Sequence, residues 1–413
     1  MADARTGGSP RDFWTFWTGQ TISQFGSSIT QFALPLLVFD LTGSALDLGL
    51  SFALGVLPYP LFGLAIGAWT DRVDRKRLMI ATDIARGLVV GSIPLAALAG
   101  TLTVTWVYAV LFVSTTLTIA FNSAQFAVIP ALVGKDDLVT ANGRIQASFS
   151  AASVIGPLVA GALLAAIALP LLILLDAASF IASAISIALI RRELHVPRER
   201  TTSIREDIVE GLRYVVRHPI LRNISAMMAL VNFFGVTVFA QAVFFAKTRF
   251  EATDPQVSLF FSAAGVGVVV LSLSAGYLRR HLAFGVVALG ALMTSGLLTV
   301  ALAFVPWFPV AVVLVAGMAG LGTLFNINTA SLRQSIVPEQ LLGRVLSVAS
   351  VLAWSANPVG ALLGGYAIER TGNVSLVYAV IGVVTFSIAL FFFVASPLGH
   401  AERHLEGVPE AVS

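Results

Sequence analysis

The sequence predicts an all-α membrane protein with twelve transmembrane helices in two six-helix halves. Composition, the spacing of apolar runs and the distribution of basic residues each point there. Of 413 residues, 57% are hydrophobic and only 11% are charged, against roughly 25% charged in an ordinary soluble domain. A soluble core of that apolarity would lack the polar surface to cover it. Lipid is the solvent that such a chain fits.

A membrane helix needs about 20 mostly apolar residues. Twelve such stretches are expected at 13–39, 48–69, 78–99, 102–128, 145–168, 171–190, 220–246, 256–278, 282–304, 308–329, 344–368 and 373–396. Backbone groups in hydrocarbon must be satisfied internally, so the spans are helices. The joints near Ala166–Pro170 and Val305–Pro309 are short, and proline marks each hairpin. Arg5 and Arg11 precede an apolar run that many others follow, so the start is read as a first span and not a cleaved signal.

The basic residues orient the spans. With both termini placed in the cytoplasm, the outer loops hold only Lys247, Arg249 and Arg370 of the 25 Lys and Arg. The inner side holds the rest, including Arg72, Arg75, Lys76, Arg77, Arg191, Arg192, Arg279 and Arg280. Shifting the register by one helix would destroy that segregation. Residues 1–190 then form an N-terminal half, 191–219 a cytoplasmic linker, 220–396 a C-terminal half and 397–413 a tail. In the linker, Ile204, Ile208, Leu212 and Val215 recur at helical spacing among charges, which predicts an amphipathic helix lying on the cytoplasmic face.

The halves echo each other. Phe121-Asn122 matches Phe325-Asn326, and Gly143-Arg144 matches Gly343-Arg344. Gly156-Pro157 with Gly161 matches Asn357-Pro358 with Gly360 and Gly364. Paired Gly/Pro interruptions mark a transporter built from repeats.

Enzyme classes find little footing. The chain has no cysteine, and its five histidines are scattered, so no thiolate, disulfide or helical metal site is available. No cofactor, metal or nucleic acid is expected. The expected partners are a small amphipathic substrate, protons and the bilayer, with the chain acting as a monomer.

The loop after the second span reads Gly67-Ala-Trp-Thr-Asp71-Arg72-Val-Asp74-Arg75-Lys76-Arg77. It closely resembles the loop signature of the major facilitator superfamily, with Asp74 where a second glycine is usual. Physically, Gly67 would permit close helix contact, Asp71 would meet a helix N-terminus and the basic run would anchor the inner side. In the fifth span, Gly143, Gly156, Pro157 and Gly161 are similar to the glycine-rich pattern of that superfamily's drug antiporters. Small residues there would also serve close helix packing. Gly19-Gln20, Gln31-Phe32, Leu41-Thr42-Gly43-Ser44, Asp83 with Arg86, and Asp176-Ala177-Ala178-Ser179-Phe180 resemble the branch of macrolide exporters and the enterobactin exporter. The resemblance implies a major facilitator fold in the cell inner membrane and proton-coupled export by alternating access. A lipid flippase on the same fold, or a proton-coupled uptake carrier, fits the same motifs. It also implies a gating motif of Gly67, Asp71, Arg72, Arg75 and Lys76, joined by Arg86.

Away from the span ends, only Asp83, Arg86 and Asp176 are charged inside these boundaries, and a charge at depth needs a reason. Asp83 and Arg86 are three apart and can pair on one helix face. Asp176 has no charged neighbour at helical spacing, which makes it the leading candidate for proton coupling, with Asp83 second. The resemblance assigns the substrate cavity to spans one, four, seven and ten. The candidates there are Gln24, Gln31, Asn122, Gln125, Asn232, Phe233, Gln241, Asn326 and Asn328. Uncharged amides beside phenylalanines suit a bulky, largely neutral substrate, while each amide taken singly fits a helix-packing hydrogen bond better than a ligand contact. Apart from Arg222 at the start of the seventh, no arginine falls within those four spans as bounded, which speaks against sugar phosphates and dicarboxylates.

Overall fold

Proline and glycine set the boundaries of this chain's helices. The computed structural model describes residues 10–70, 72–134, 137–191 and 204–399, and among them every regular element is a helix. The first span is α1 (Pro10–Thr42). Gly43 ends it with φ +62°, a left-handed turn that glycine adopts without strain. The second span is broken before Pro58 into α2 (Ala45–Val56) and α3 (Pro58–Thr70). The next spans are α4 (Arg75–Leu98), α5 (Val104–Val133), α6 (Leu138–Leu163) and α7 (Leu169–Leu189).

The linker helix is α8 (Ile204–Arg217). The seventh span, expected as one piece, ends at Gln241, which separates α9 (Pro219–Ala240) from the short α10 (Ala242–Phe250). Then come α11 (Asp254–His281), α12 (Phe284–Phe304) and α13 (Phe308–Ile336). Pro358 breaks the eleventh span into α14 (Glu339–Trp354) and α15 (Asn357–Thr371), and α16 (Val374–Ala395) is the twelfth. Among the described residues, twelve spans are thus long and apolar enough to cross a bilayer.

Two units of packing emerge. One gathers the described parts of Met1–Gly43, Leu54–Glu199 and Thr253–Ser262. There α7 packs against both α1 and α4, while α1 also packs against α6. The α1–α7 contact is made by small residues: Gly19 faces Ser186 and Gly26 faces Ser179, with no room for a Cβ at either glycine. Phe16, Met79, Phe121, Ala124, Val128 and Leu132 fill its apolar core. Gly156 sits against Ser28, whose hydroxyl donates to the Ala152 carbonyl across 2.7 Å. Gly161 sits in the same way against Ser258. Gly143 has open space around it, so the close helix packing expected there is absent. The same holds for Gly67, at the solvent-facing end of its span.

The second unit gathers Ser44–Ala53 and the described parts of Arg200–Ala252 and Ala263–Ser413. Its centre is the α12–α16 pair, where Gly296 and Gly382 each meet the other's backbone. Ile224, Met227, Phe284, Phe325 and Phe392 surround it. The first turns of α2 belong here because they pack on α15: Gly49 meets the Ala361 carbonyl, and Gly365 meets that of Ala45. The division therefore departs from a plain split at the linker, because each unit takes the end of one helix from the other half of the sequence.

The linker helix is amphipathic, as expected. Part of its apolar surface is packed and part is exposed. Val215 is buried with Leu221, Val337 and Val345, and Gly211 is pressed on the Arg344 carbonyl of α14. Leu212, expected on the apolar face, is 40% exposed. Ile204 lies among the residues whose side chains are outside the described set, as do Asp71, Arg192 and the tail from residue 400.

Candidate functional site

The first unit holds a chain of polar groups that crosses four helices. Asp83 on α4 is fully buried and forms an ion pair with Arg86, one turn on. Its second oxygen accepts from the Ser183 hydroxyl of α7 across 2.6 Å. Ser183 in turn accepts from the Gln20 amide of α1 across 2.7 Å. The Arg86 guanidinium lies between two rings, 4.3 Å from the centroid of Phe121 on α5 and 4.3 Å from that of Phe180 on α7. Two ring quadrupoles thus lie within reach of the cation while a carboxylate pairs with it. That arrangement supplies much of what water would have supplied.

Asp176 stands further along the same face of α7 and is 2% exposed. One of its oxygens accepts from Ser27 of α1 at 3.1 Å and from Ser179 at 3.2 Å. It is not electrostatically alone. Helical spacing on α7 gives it no charged neighbour, but Arg86 on α4 lies within electrostatic reach. The sequence expectation of an isolated acid is corrected by that neighbour, which only the packing of α4 on α7 supplies. One cation therefore serves two acids, and a proton on either acid leaves the cluster neutral.

The loop residues have local tasks. Asp74, the departure from the usual signature, caps α4 by accepting from the Arg77 backbone N–H across 3.0 Å. Lys76 donates to the carbonyls of Ala188 and Ile190 at 3.2 and 2.5 Å, closing the C-terminus of α7. Arg75 is buried and Arg72 exposed. Asp71 is outside the described residues.

The nine cavity candidates divide. Gln241 is fully buried and donates to the Ala45 carbonyl across 2.7 Å. Asn328 is buried and donates to its own helix at Leu324. Asn232 donates to the Ala353 carbonyl of α14. All three amides thus hold backbone carbonyls, Gln241 and Asn232 between helices and Asn328 within its own. Gln31, Asn122 and Asn326 are exposed, while Gln24, Gln125 and Phe233 are half-buried.

Two features escaped the sequence reading. Ser183 and Ser179 fall on one face with Asp176, a spacing visible in the sequence but unremarkable among so many small residues. Arg333 was excluded because the tenth span was ended at residue 329. The helix runs on to Ile336 and buries Arg333 to 6% exposure, so the tenth span does contain an arginine.

The sequence of this fold matches the family model described as Major Facilitator Superfamily over residues 16–360. The chain belongs to that superfamily. It is thus a multi-pass membrane transporter and not an enzyme. Among curated members, macrolide efflux protein A of Streptococcus pyogenes is 29% identical over 87% of this chain and 90% of its own length. The multidrug efflux pump Tap of Mycolicibacterium fortuitum is 28% identical over 84% of this chain and 87% of its own. Among solved superfamily structures, a bacterial homologue of the lysosomal transporter Spinster superposes with a TM-score of 0.72 at 14% identity, over 97% of this chain and 98% of that one. The nucleoside transporter NupG gives 0.73 at 12% identity, over 92% and 98%. At such identities the likeness speaks for the fold alone.

Proposed function

We propose that this superfamily member exports a small amphipathic molecule, of the drug, antibiotic or siderophore-like kind, in exchange for protons by alternating access. The observation that carries the direction is the pair of efflux proteins matched along nearly their whole length. The coupling rests on Asp176 and Asp83 sharing Arg86 in a site without water-facing groups. A buried acid in a membrane span is a functional candidate by default. Protonation of Asp176 would neutralise the cluster and change what α1 and α7 hold together. The exposed amides of Gln31, Asn122 and Asn326, near many phenylalanines, suit a largely uncharged cargo.

In this reading the protein works as a monomer in the cell inner membrane, with both termini and α8 on the cytoplasmic side. Arg72, Arg75, Lys76 and Asp71 bias the inner gate. Inverted membrane vesicles, energised by a proton gradient and offered a chemically diverse panel, test it. Uphill accumulation of at least one amphipathic compound is expected. No accumulation of any compound, with lipid translocation in its place, would favour the flippase alternative.

A further inference from the structure

Arg333 sits in the last turns of α13 with its guanidinium buried, and its Nε has no hydrogen-bond partner. Its one polar contact is the Met228 thioether of α9, 2.9 Å from a terminal nitrogen. Among the described residues no carboxylate comes within ion-pair distance of it. An uncompensated buried cation is costly, and at Arg86 a carboxylate and two rings offset that cost. Arg333 has neither.

A second unpartnered group lies in the same seam. Ser225 of α9 is 6% exposed and its hydroxyl makes no hydrogen bond. It stands one turn from Leu221 and one turn from Met228 on the same helix face. Leu221 packs with Val337, the residue that follows α13 and lies four past Arg333, and Met228 touches Arg333 itself. By that helical register Ser225 and Arg333 fall at one level between two apolar contacts, a hydroxyl without a hydrogen bond and a guanidinium whose one polar contact is a thioether. The cover over the guanidinium is a methionine, an unbranched side chain that moves aside at low cost.

We infer that Arg333 and Ser225 form an anion-binding site between α9 and α13, which takes a carboxylate or phosphate group when Met228 swings away. The guanidinium supplies charge and a two-pronged donor edge, and the serine a third hydrogen. The anion is carried by a cargo molecule or by a lipid headgroup. This goes beyond the export reading and holds whichever way the cargo moves.

The test is thermal unfolding of the purified full chain in an uncharged detergent, titrated with inorganic phosphate, with acetate and with dihexanoyl phosphatidic acid. Saturable stabilisation is expected from at least one, since an anion that binds the folded state raises its melting point. Arg333→Gln should weaken the apparent affinity on the order of tenfold or more. Arg333→Lys and Ser225→Ala should weaken it less, and Arg280→Gln, an exposed charge on α11, should leave it unchanged. A response to phosphate or acetate assigns the site to free anions, and a response to the lipid alone assigns it to headgroups. Should Arg333→Gln not fold, Arg333→Lys and Ser225→Ala carry the comparison. No saturable shift with any probe, or one that these variants keep in full, overturns the proposal.

Discussion

The Ser183 hydroxyl of α7 donates to the Asp83 carboxylate of α4 across 2.6 Å, inside a layer where both residues are fully buried. That bond ties the two helices at the level where Arg86 lies between Phe121 and Phe180. Removing one partner of a buried ion pair costs about 3–5 kcal/mol, because the other charge is left unpaired. Losing a buried hydrogen bond to a charged group costs about 1.5–3 kcal/mol. Asp83→Asn should thus lower the melting temperature more than Ser183→Ala, and Asp83→Asn with Arg86→Gln should recover part of the loss. Melting curves in detergent would show the order. Equal effects of the two single variants would mean that Arg86 is held by the rings alone.

Gly26 is a test of the packing of α1 on α7. A Cβ there would lie 2.9 Å from the Asp176 Cα and would collide with the Ser179 side chain. Gly26→Val should separate α1 from α7 and lower membrane abundance severalfold, whereas Gly143→Ala, in open space, should be tolerated. Immunoblots of membrane fractions distinguish the two.

On the surface of the second unit, Arg344 of α14 pairs with Glu210 of α8, and both are partly exposed. Exposed pairs contribute about 0–1 kcal/mol. Glu210→Ala should therefore change stability little, while Gly211→Val, driven against the Arg344 carbonyl, should detach α8. Protease cleavage in the linker reports that detachment: faster in Gly211→Val, near the parent rate in Glu210→Ala.

The proposed sidedness is directly accessible, since the chain has no cysteine to remove. Single cysteines at Arg213 and Thr253 should label from opposite faces of the membrane with an impermeant maleimide. Labelling from one face would contradict the assignment of twelve spans with the basic loops inside.

The span count and the Asp83–Arg86 spacing could be read from the sequence because they depend on local hydropathy and helical periodicity. The long helices blurred what lies at their ends. Arg333 reads as a loop residue until α13 is seen to run on to Ile336. Amides were harder still. Gln241 and Asn122 look alike in a list, yet Gln241 is spent on the Ala45 carbonyl and Asn122 is exposed. That difference arises from a neighbour 196 residues away in the chain. The partner of Asp176 was hidden for the same reason, because no periodicity on α7 can reveal a cation on α4.

The central claim is that Asp176 carries the coupling proton. Asp176→Asn keeps the shape of the protonated carboxyl, and the amide can still meet Ser27 and Ser179, but it cannot release a proton. The direct measurement compares parent and variant in inverted vesicles, with one exported compound followed under an imposed proton gradient and then under exchange without one. The account predicts that Asp176→Asn retains exchange within severalfold of the parent and loses gradient-driven accumulation. A variant that still accumulates the compound uphill, in proportion to the gradient as the parent does, would contradict it and move the proton path to Asp83.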